Sequence, residues 1–522
     1  MAEGVPLIVL VLGSLAVTGL CRRLRMNPTL VLVVAGIAVS FLPWVPDFRI
    51  NPDLVLLVVL TPLLYSAALD SSYLGLRANI RPIGLLAVGL VIFSMVVIGV
   101  VAWWVVPGLS LAAALVLGAV LAPPDAVAAI AVGRRLGLPR RMMTILAGES
   151  LANDATALTL FRVALAAAAG SGISLLSGIG MFLLAGVGGT VIGLAVGWVV
   201  HQVRIRLNDP PIESALGLVV PFAVYLIAEE AHASGLLAVV VAGLYLGHRA
   251  PETGFATRLQ DDAVWRASDT VLESVVFALI GLQLTGVLRE LGAVGPLLLA
   301  GVAVTAAAVL ARLVWVFPAT YLPRLLPSVR RRDPFPTWQN PAVISWAGMR
   351  GVVSLAAAFA ITPDVPHRET LIFLAFFVTV GTLLLHGLTL PWVIRRLGVR
   401  GEESATDALA EAQAQHAAGR AAVARLDEMA EHTNGPVPEH TVQKLRYLAQ
   451  MRTNSTWERL GRPAEEAGES PGAAHRRLRR AMVSAERDTF VQFRDEGRID
   501  DEVLRRVLRE LDLEEAMLSR DD

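Results

Sequence analysis

Two carboxylates, an amide and a hydroxyl crowd into Gly148-Glu149-Ser150-Leu151-Ala152-Asn153-Asp154, inside a run too apolar to lie anywhere but in a membrane. A third acid, Asp125, follows Pro123 and Pro124 in the apolar run before it. Ionisable groups at that depth are costly, so packing alone does not account for them; they read as an ion or proton pathway. Pro124 lacks an amide hydrogen, and the Pro-Pro pair breaks the helix where Asp125 sits. A helix interrupted at mid-membrane leaves carbonyls unpaired on one side and amides on the other. The carbonyls are cation ligands. Asp125 opens the following half-helix, Ala126 to Val132, whose dipole favours a negative charge at that end.

Spacing assigns the remaining groups. Glu149 and Asn153 share a helix face, Asp154 is offset by about 100°, and Ser150 lies one turn before Asp154. A dehydrated monovalent cation needs several hard oxygens, which Asp125, Ser150, Asp154 and the broken-helix carbonyls would supply. Glu149 is better placed to hold a structural partner, which must be cationic if it stays ionised. Three arginines fall inside apolar runs: Arg162, Arg312 and Arg350. Arg162 lies near a run's end, where snorkelling would satisfy it. Arg350 sits in Gly348-Met349-Arg350-Gly351, which predicts a second interrupted helix crossing the first, the mark of an inverted repeat. Asp269 and Glu273 are expected to cap the N-terminus of their helix. His232, His248 and His386 read as loop-end or packing residues, without acids at metal-ligand spacing.

The elements that position these residues are apolar runs at about 4–20, 28–45, 53–69, 82–106, 109–132, 142–169, 173–200, 211–229, 234–248, 269–287, 292–321, 340–361 and 370–393. Nearly all of them are long enough to cross roughly 30 Å of hydrocarbon as helices. The expected fold is therefore all-α and polytopic, with about 13 transmembrane helices, inverted repeats and crossed interrupted helices. Loops after odd-numbered runs carry 21 arginines; those after even-numbered runs carry three, Arg49, Arg289 and Arg368. That asymmetry puts the N-terminus outside and the C-terminus in the cytoplasm, and argues against a soluble helical core. The first basic cluster follows the first run, so the start does not read as a cleavable signal sequence. Cys21 is the only cysteine, which excludes an intrachain disulfide. Beyond residue 400 the composition turns acidic and Ala-rich. A cytoplasmic helical tail is expected over 401–522, with breaks at Gly435–Pro438, 461–472 and Gly497. Its amphipathic stripes are Leu478, Met482, Ala485, Thr489 and Phe493, then Leu504, Val507, Leu508, Leu511 and Leu518. A regulatory role is compatible with it. Neither nucleotide-binding nor zinc spacing appears there, and nothing accompanies Arg330–Arg332 to suggest nucleic acid.

Over residues 5–397 the chain resembles the monovalent cation:proton antiporters of family 1, the sodium/proton exchanger family. Ala122-Pro123-Pro124-Asp125-Ala126-Val127 resembles its unwound segment, Gly148 to Asp154 its Asn-Asp helix, and Ala311-Arg312 its membrane arginine. Gly348-Met349-Arg350-Gly351 is similar to its Gly-Leu-Arg-Gly turn, and Phe277 to Leu282 to a further segment. The resemblance implies a thirteen-helix homodimer in the plasma (inner) membrane, with a dimerisation domain and a mobile six-helix core. Na+ and H+ would be its substrates, without a cofactor. It implies that Asp154 alternates between Na+ and H+, that Asp125 and Ser150 line the site, and that Asn153 replaces the second acid of electrogenic relatives. Glu149 would pair with Arg312. Pro124 departs from the family, where many members have Thr; the missing hydroxyl bears on the ligand set and on Na+ against K+. A K+/H+ exchanger on the same scaffold is the nearest rival. A channel is disfavoured because no pore-loop repeat is present, and a hydrolase because Ser150 has no His or Lys base in its run.

Overall fold

The computed structural model describes residues 4–43, 45, 54–168, 175–207, 209–289, 291, 295–333, 335–401, 403–432, 438–460, 471–496, 498–499 and 501–519. Arg49, most of the Gly435–Pro438 break, most of the 461–472 linker and Gly497 lie outside the described residues. The chain divides into two compact units, Met1–Gly401 and Glu402–Asp522.

In the first unit, helices α1 (Gly4–Arg23), α2 (Pro28–Ser40), α3 (Val55–Leu69) and α4 (Ile80–Val105) come first. The fifth apolar run is split into α5 (Leu111–Leu121) and α6 (Val127–Leu136). Then follow α7 (Arg140–Ala168), α8 (Leu175–Leu207), α9 (Pro210–Glu230), α10 (Gly235–Arg249), α11 (Phe255–Leu282) and α12 (Gly295–Tyr321). The twelfth run is likewise split into α13 (Gln339–Trp346) and α14 (Val352–Phe359), before α15 (Arg368–Leu397). Eight of the described helices are long and apolar enough to cross a membrane. Side-chain oxygens start several of them: Asn27 accepts from Thr29 N–H (3.1 Å), Ser110 from Ala113 N–H (3.2 Å) and Ser234 from Leu237 N–H (3.3 Å).

These helices form two bundles. In the first, α4, α5/α6 and α7 pack with α12, α13/α14 and α15. Each half of it is therefore three apolar runs with the middle one broken, the form of an inverted repeat. The second bundle joins α1, α2, α3, α8, α9, α10 and α11. One close crossing puts Gly36 of α2 against Gly281 of α11: a Cβ on Gly36 would sit 2.5 Å from the Ala278 carbonyl oxygen and 3.0 Å from Gly281 Cα. Small residues substitute here for a hydrophobic driving force that lipid cannot supply. Large apolar side chains on the outer faces of α1 and α8, such as Leu7, Ile8, Leu183 and Val187, are exposed.

The second unit comprises α16 (Glu403–His432), α17 (Glu439–Leu460), α18 (Pro471–Asp495) and α19 (Asp501–Ser519), paired as α16 with α17 and α18 with α19. Arg479 donates to Glu514 at 2.5 and 2.7 Å, and Arg487 reaches Asp512 and Glu515 at 2.9 and 2.5 Å. The expected stripe on α19 holds at Leu504 and Leu511, which are buried. On α18 it does not: Leu478 and Met482 are more than half exposed, and Val483 is the buried residue. Arg479 and Arg487 thus lie on the side of α18 that meets α19, with Leu478 and Met482 turned away.

Candidate ion-binding site

The two broken helices meet at their breaks. Asp125 N–H donates to the Met349 carbonyl at 2.7 Å, an isolated antiparallel bridge that is the one piece of β pairing among the described residues. Each interrupted segment lends the other one of the backbone partners that its helix lost, which is what an irregular backbone at membrane depth requires. The bridge brings two helix N-termini to one carboxylate. Asp125 Oδ1 accepts from Val127 N–H, the first residue of α6, at 2.9 Å. Gly351, immediately before α14, abuts the same side chain: a Cβ there would lie 2.6 Å from Asp125 Cβ and Cγ and closer still to Oδ2. Only glycine lets the α14 terminus approach so near.

On the C-terminal side the polarity reverses. Arg312 of α12 donates from Nε and Nη2 to the Ile344 carbonyl (3.1 and 3.0 Å), satisfying the end of α13 where the break leaves carbonyls free. A Cβ on Gly348 would strike Arg312 Nε at 2.7 Å. The same guanidinium forms a bidentate ion pair with Glu149 of α7, with Nη2 to Oε2 at 2.8 Å, and both side chains are at most 3% exposed. Glu149 and Arg312 thus meet, the pairing that the family resemblance implies.

Asp154 and Ser150 stand on the other face of α7. With Asp125 they line a cavity of about 410 Å³ that reaches Arg22, Asp70 and Arg134 at the arginine-rich ends of the helices. Ala126 N–H donates to Ser150 Oγ at 3.4 Å, tying α7 to the break. The cavity brings together the three expected ligand residues Asp125, Ser150 and Asp154. Asn153 lies apart from that wall. It is fully buried, and its Nδ2 donates to the Pro124 carbonyl at 2.7 Å. Its amide splints the interruption. Arg350 is also outside the cavity: it is buried, its N–H donates to Thr382 Oγ1 at 3.2 Å, and the charged groups that act on it are Arg312 and Glu149.

Two expectations need correction. Asp269 and Glu273 do not cap a helix start, because α11 begins at Phe255, well before the apolar run. Asp269 instead accepts from Ser66 at 2.6 Å, and Glu273 lines the cavity wall. Apolarity marks where a helix enters hydrocarbon, not where it starts. Arg162 does not simply snorkel; it pairs with Glu229 of α9 at 2.7 Å. Of the histidines, His386 is buried edge-on to Trp346 (5.1 Å) and His248 packs at a tilt against Tyr73 (5.0 Å), the packing roles their sequence positions suggested. Sequence reading also missed Asp333, which reaches Arg81 (3.0 Å), Arg141 (2.8 Å) and Arg324 (2.6 Å) on the arginine-rich face. An acid close behind three consecutive arginines was its only signal.

Crossed interrupted helices in inverted three-span repeats, with carboxylates at the crossing, define a secondary transporter. The chain belongs to the sodium/hydrogen exchanger family: residues 7–396 match that family's transmembrane region. It is 32% identical to an uncharacterized Na(+)/H(+) exchanger of Mycobacterium tuberculosis, over 98% of this chain and 96% of the relative. It is 31% identical to the Na(+)/H(+) antiporter ApNhaP of Aphanothece halophytica, over 83% and 80%. The fold is similar to the sodium proton antiporter MjNhaP1 of Methanocaldococcus jannaschii, with a TM-score of 0.62 at 17% identity, covering 76% of this chain and 98% of that one. This is a multi-pass membrane protein of an ion-exchanging family.

Proposed function

We propose that this chain is a secondary active antiporter exchanging Na+ or Li+ for H+, one for one, across the plasma membrane, for sodium extrusion and pH homeostasis. The observation that carries the reading is the cavity shared by Asp154, Asp125 and Ser150 at the helix crossing. An empty, ionised site is costly to move past an apolar barrier; either a cation or a proton neutralises it and lowers that cost. Competition for Asp154 then couples the two flows. Asp125 is held by two helix N-termini and supplies a second oxygen ligand, and Ser150 a third. Glu149 and Arg312 cancel each other, and Arg350 adds a fixed charge beside them that does not enter the cavity. The arginine-rich face is assigned to the cytoplasm, which makes the present cavity inward-open with thirteen spans, an external N-terminus and a cytoplasmic tail. The exposed apolar faces of α1 and α8 meet lipid and a second copy in a homodimer.

The test is proton flux in proteoliposomes with Na+, Li+ and K+ added in turn. Na+ and Li+ should drive saturable proton movement, and Asp154→Asn should abolish it while the protein stays folded and inserted. Flux driven by K+ alone would assign the scaffold to K+/H+ exchange. Near wild-type flux in D154N would remove Asp154 from the mechanism.

A further inference from the structure

A second cleft, of about 420 Å³, lies between the two bundles at the end of α7 remote from Arg140 and Arg141. Leu158 and Arg162 of α7 form one wall; Tyr225, Glu229 and Leu236 form the other. The cleft stops short of Asp154. An apolar seam separates them, in which Leu151 and Val353 of the first bundle pack with Leu236 and Val240 of the second, joined by Leu158.

One ion pair bridges the rim of this cleft. Arg162 belongs to the helix that carries Asp154, about two turns further along it. Its Nη2 donates to Glu229 Oε2 at 2.7 Å. Glu229 is fixed in the opposite bundle, because its Oε1 accepts from Gly235 N–H (3.2 Å) in the first turn of α10. The ion pairs Arg312–Glu149, Arg141–Asp333 and Arg204–Asp261 each stay within one bundle. Arg162–Glu229 does not.

We propose that Arg162 and Glu229 form a latch that holds the outer cleft shut, and that this ion pair opens once in every exchange cycle. The inference rests on the exchange reading in one respect: Asp154 must be reached from both faces in turn. The site's cavity reaches the arginine-rich face, and the apolar seam lies between the site and the second cleft, so the bundles must part along the Leu158–Leu236 seam for the other face to gain access through it. The latch spans that line of parting. Its strength suits the task. Partly exposed side chains (50% for Arg162, 28% for Glu229) make a pair that biases the equilibrium without trapping it. Losing it should shift the population toward the outward-open state by about two- to five-fold.

The single cysteine, buried Cys21, makes the test direct. In full-length Cys21→Ala protein carrying Leu158→Cys, a membrane-impermeant maleimide added from the side opposite the arginine-rich loops reports opening of the cleft. Arg162→Gln and Glu229→Gln should each raise the labelling rate about two- to five-fold. E229Q retains a carbonyl for Gly235 and so removes only the charge; Arg162→Lys should keep the parent rate. In addition, Arg162→Cys with Glu229→Cys, joined by a short bifunctional thiol reagent, should arrest exchange until a cleavable linker is reduced. Unchanged labelling in both glutamine variants, or full-rate exchange in the cross-linked protein, would overturn the latch. Labelling needs no transport, so a chain that exchanges neither Na+ nor Li+ but still answers the latch substitutions loses the exchange reading and keeps this one.

Discussion

Asp154 and Asp125 have no basic partner among the described residues, whereas Glu149, one turn from Asp154 on the same helix, is fully engaged by Arg312. That contrast divides the acids of one helix into a site and a scaffold. A buried ion pair contributes little net stability, but removing one partner strands the other, commonly at about 3–5 kcal/mol. Arg312→Gln should therefore lower the thermal midpoint sharply, and it also frees the Ile344 carbonyl. Glu149→Gln with Arg312→Gln together should recover part of the loss. Additive single effects in a thermal-stability cycle would mean that the pair is not coupled.

At the scale of elements, the crossing depends on close backbone approach. Gly351→Ala places a methyl group against the Asp125 carboxylate. Overpacking of this kind costs about 1–3 kcal/mol, and here it displaces a ligand. Cation-driven flux should fall about ten-fold or more in G351A, while Gly381→Ala, where a Cβ meets nothing within 4 Å, should leave it unchanged. The loop after α12 makes a separate, pH-dependent contribution. Burial alone would raise the Asp333 carboxyl, but the Arg141 and Arg324 guanidiniums outweigh it and hold it below the usual carboxylate range. A depressed folded value means that its stabilisation is complete above the unfolded pKa of about 4 and is lost as pH falls through the folded value. The thermal-midpoint difference between wild type and Asp333→Asn should be constant from pH 7 to 5 and shrink below pH 4. A difference that shrinks on the alkaline side instead would contradict the assignment.

For the whole molecule, the apolar runs and the residues at the two breaks were legible because hydrocarbon imposes severe rules: long apolar helices, satisfied backbone, few charges. Pro123-Pro124-Asp125 and Gly348 to Gly351 announced two interruptions, and Glu149 announced a cationic partner. What stayed hidden depends on where helices begin and how they rotate. Phe255 starts α11 within a charged stretch, so Asp269 and Glu273 moved from a cap to a mid-helix face. Asn153 reads in sequence as part of the site, yet its Nδ2 donates to the Pro124 carbonyl, a bond between segments that spacing does not encode. Arg162 and Glu229 lie on separate spans, and only the packing of two bundles brings them together.

The central claim is that one carboxylate, Asp154, exchanges one cation for one proton. Proteoliposomes with fixed Na+ and pH gradients, clamped at zero and at −100 mV, test it most directly. One net charge moved per cycle across that difference is worth about 2.3 kcal/mol, roughly fifty-fold in the equilibrium ion ratio. Exchange through Asp154 alone should give the same ion ratio at both potentials. A fifty-fold shift would mean that a second group, with Asp125 the nearest, carries another proton, and would contradict it.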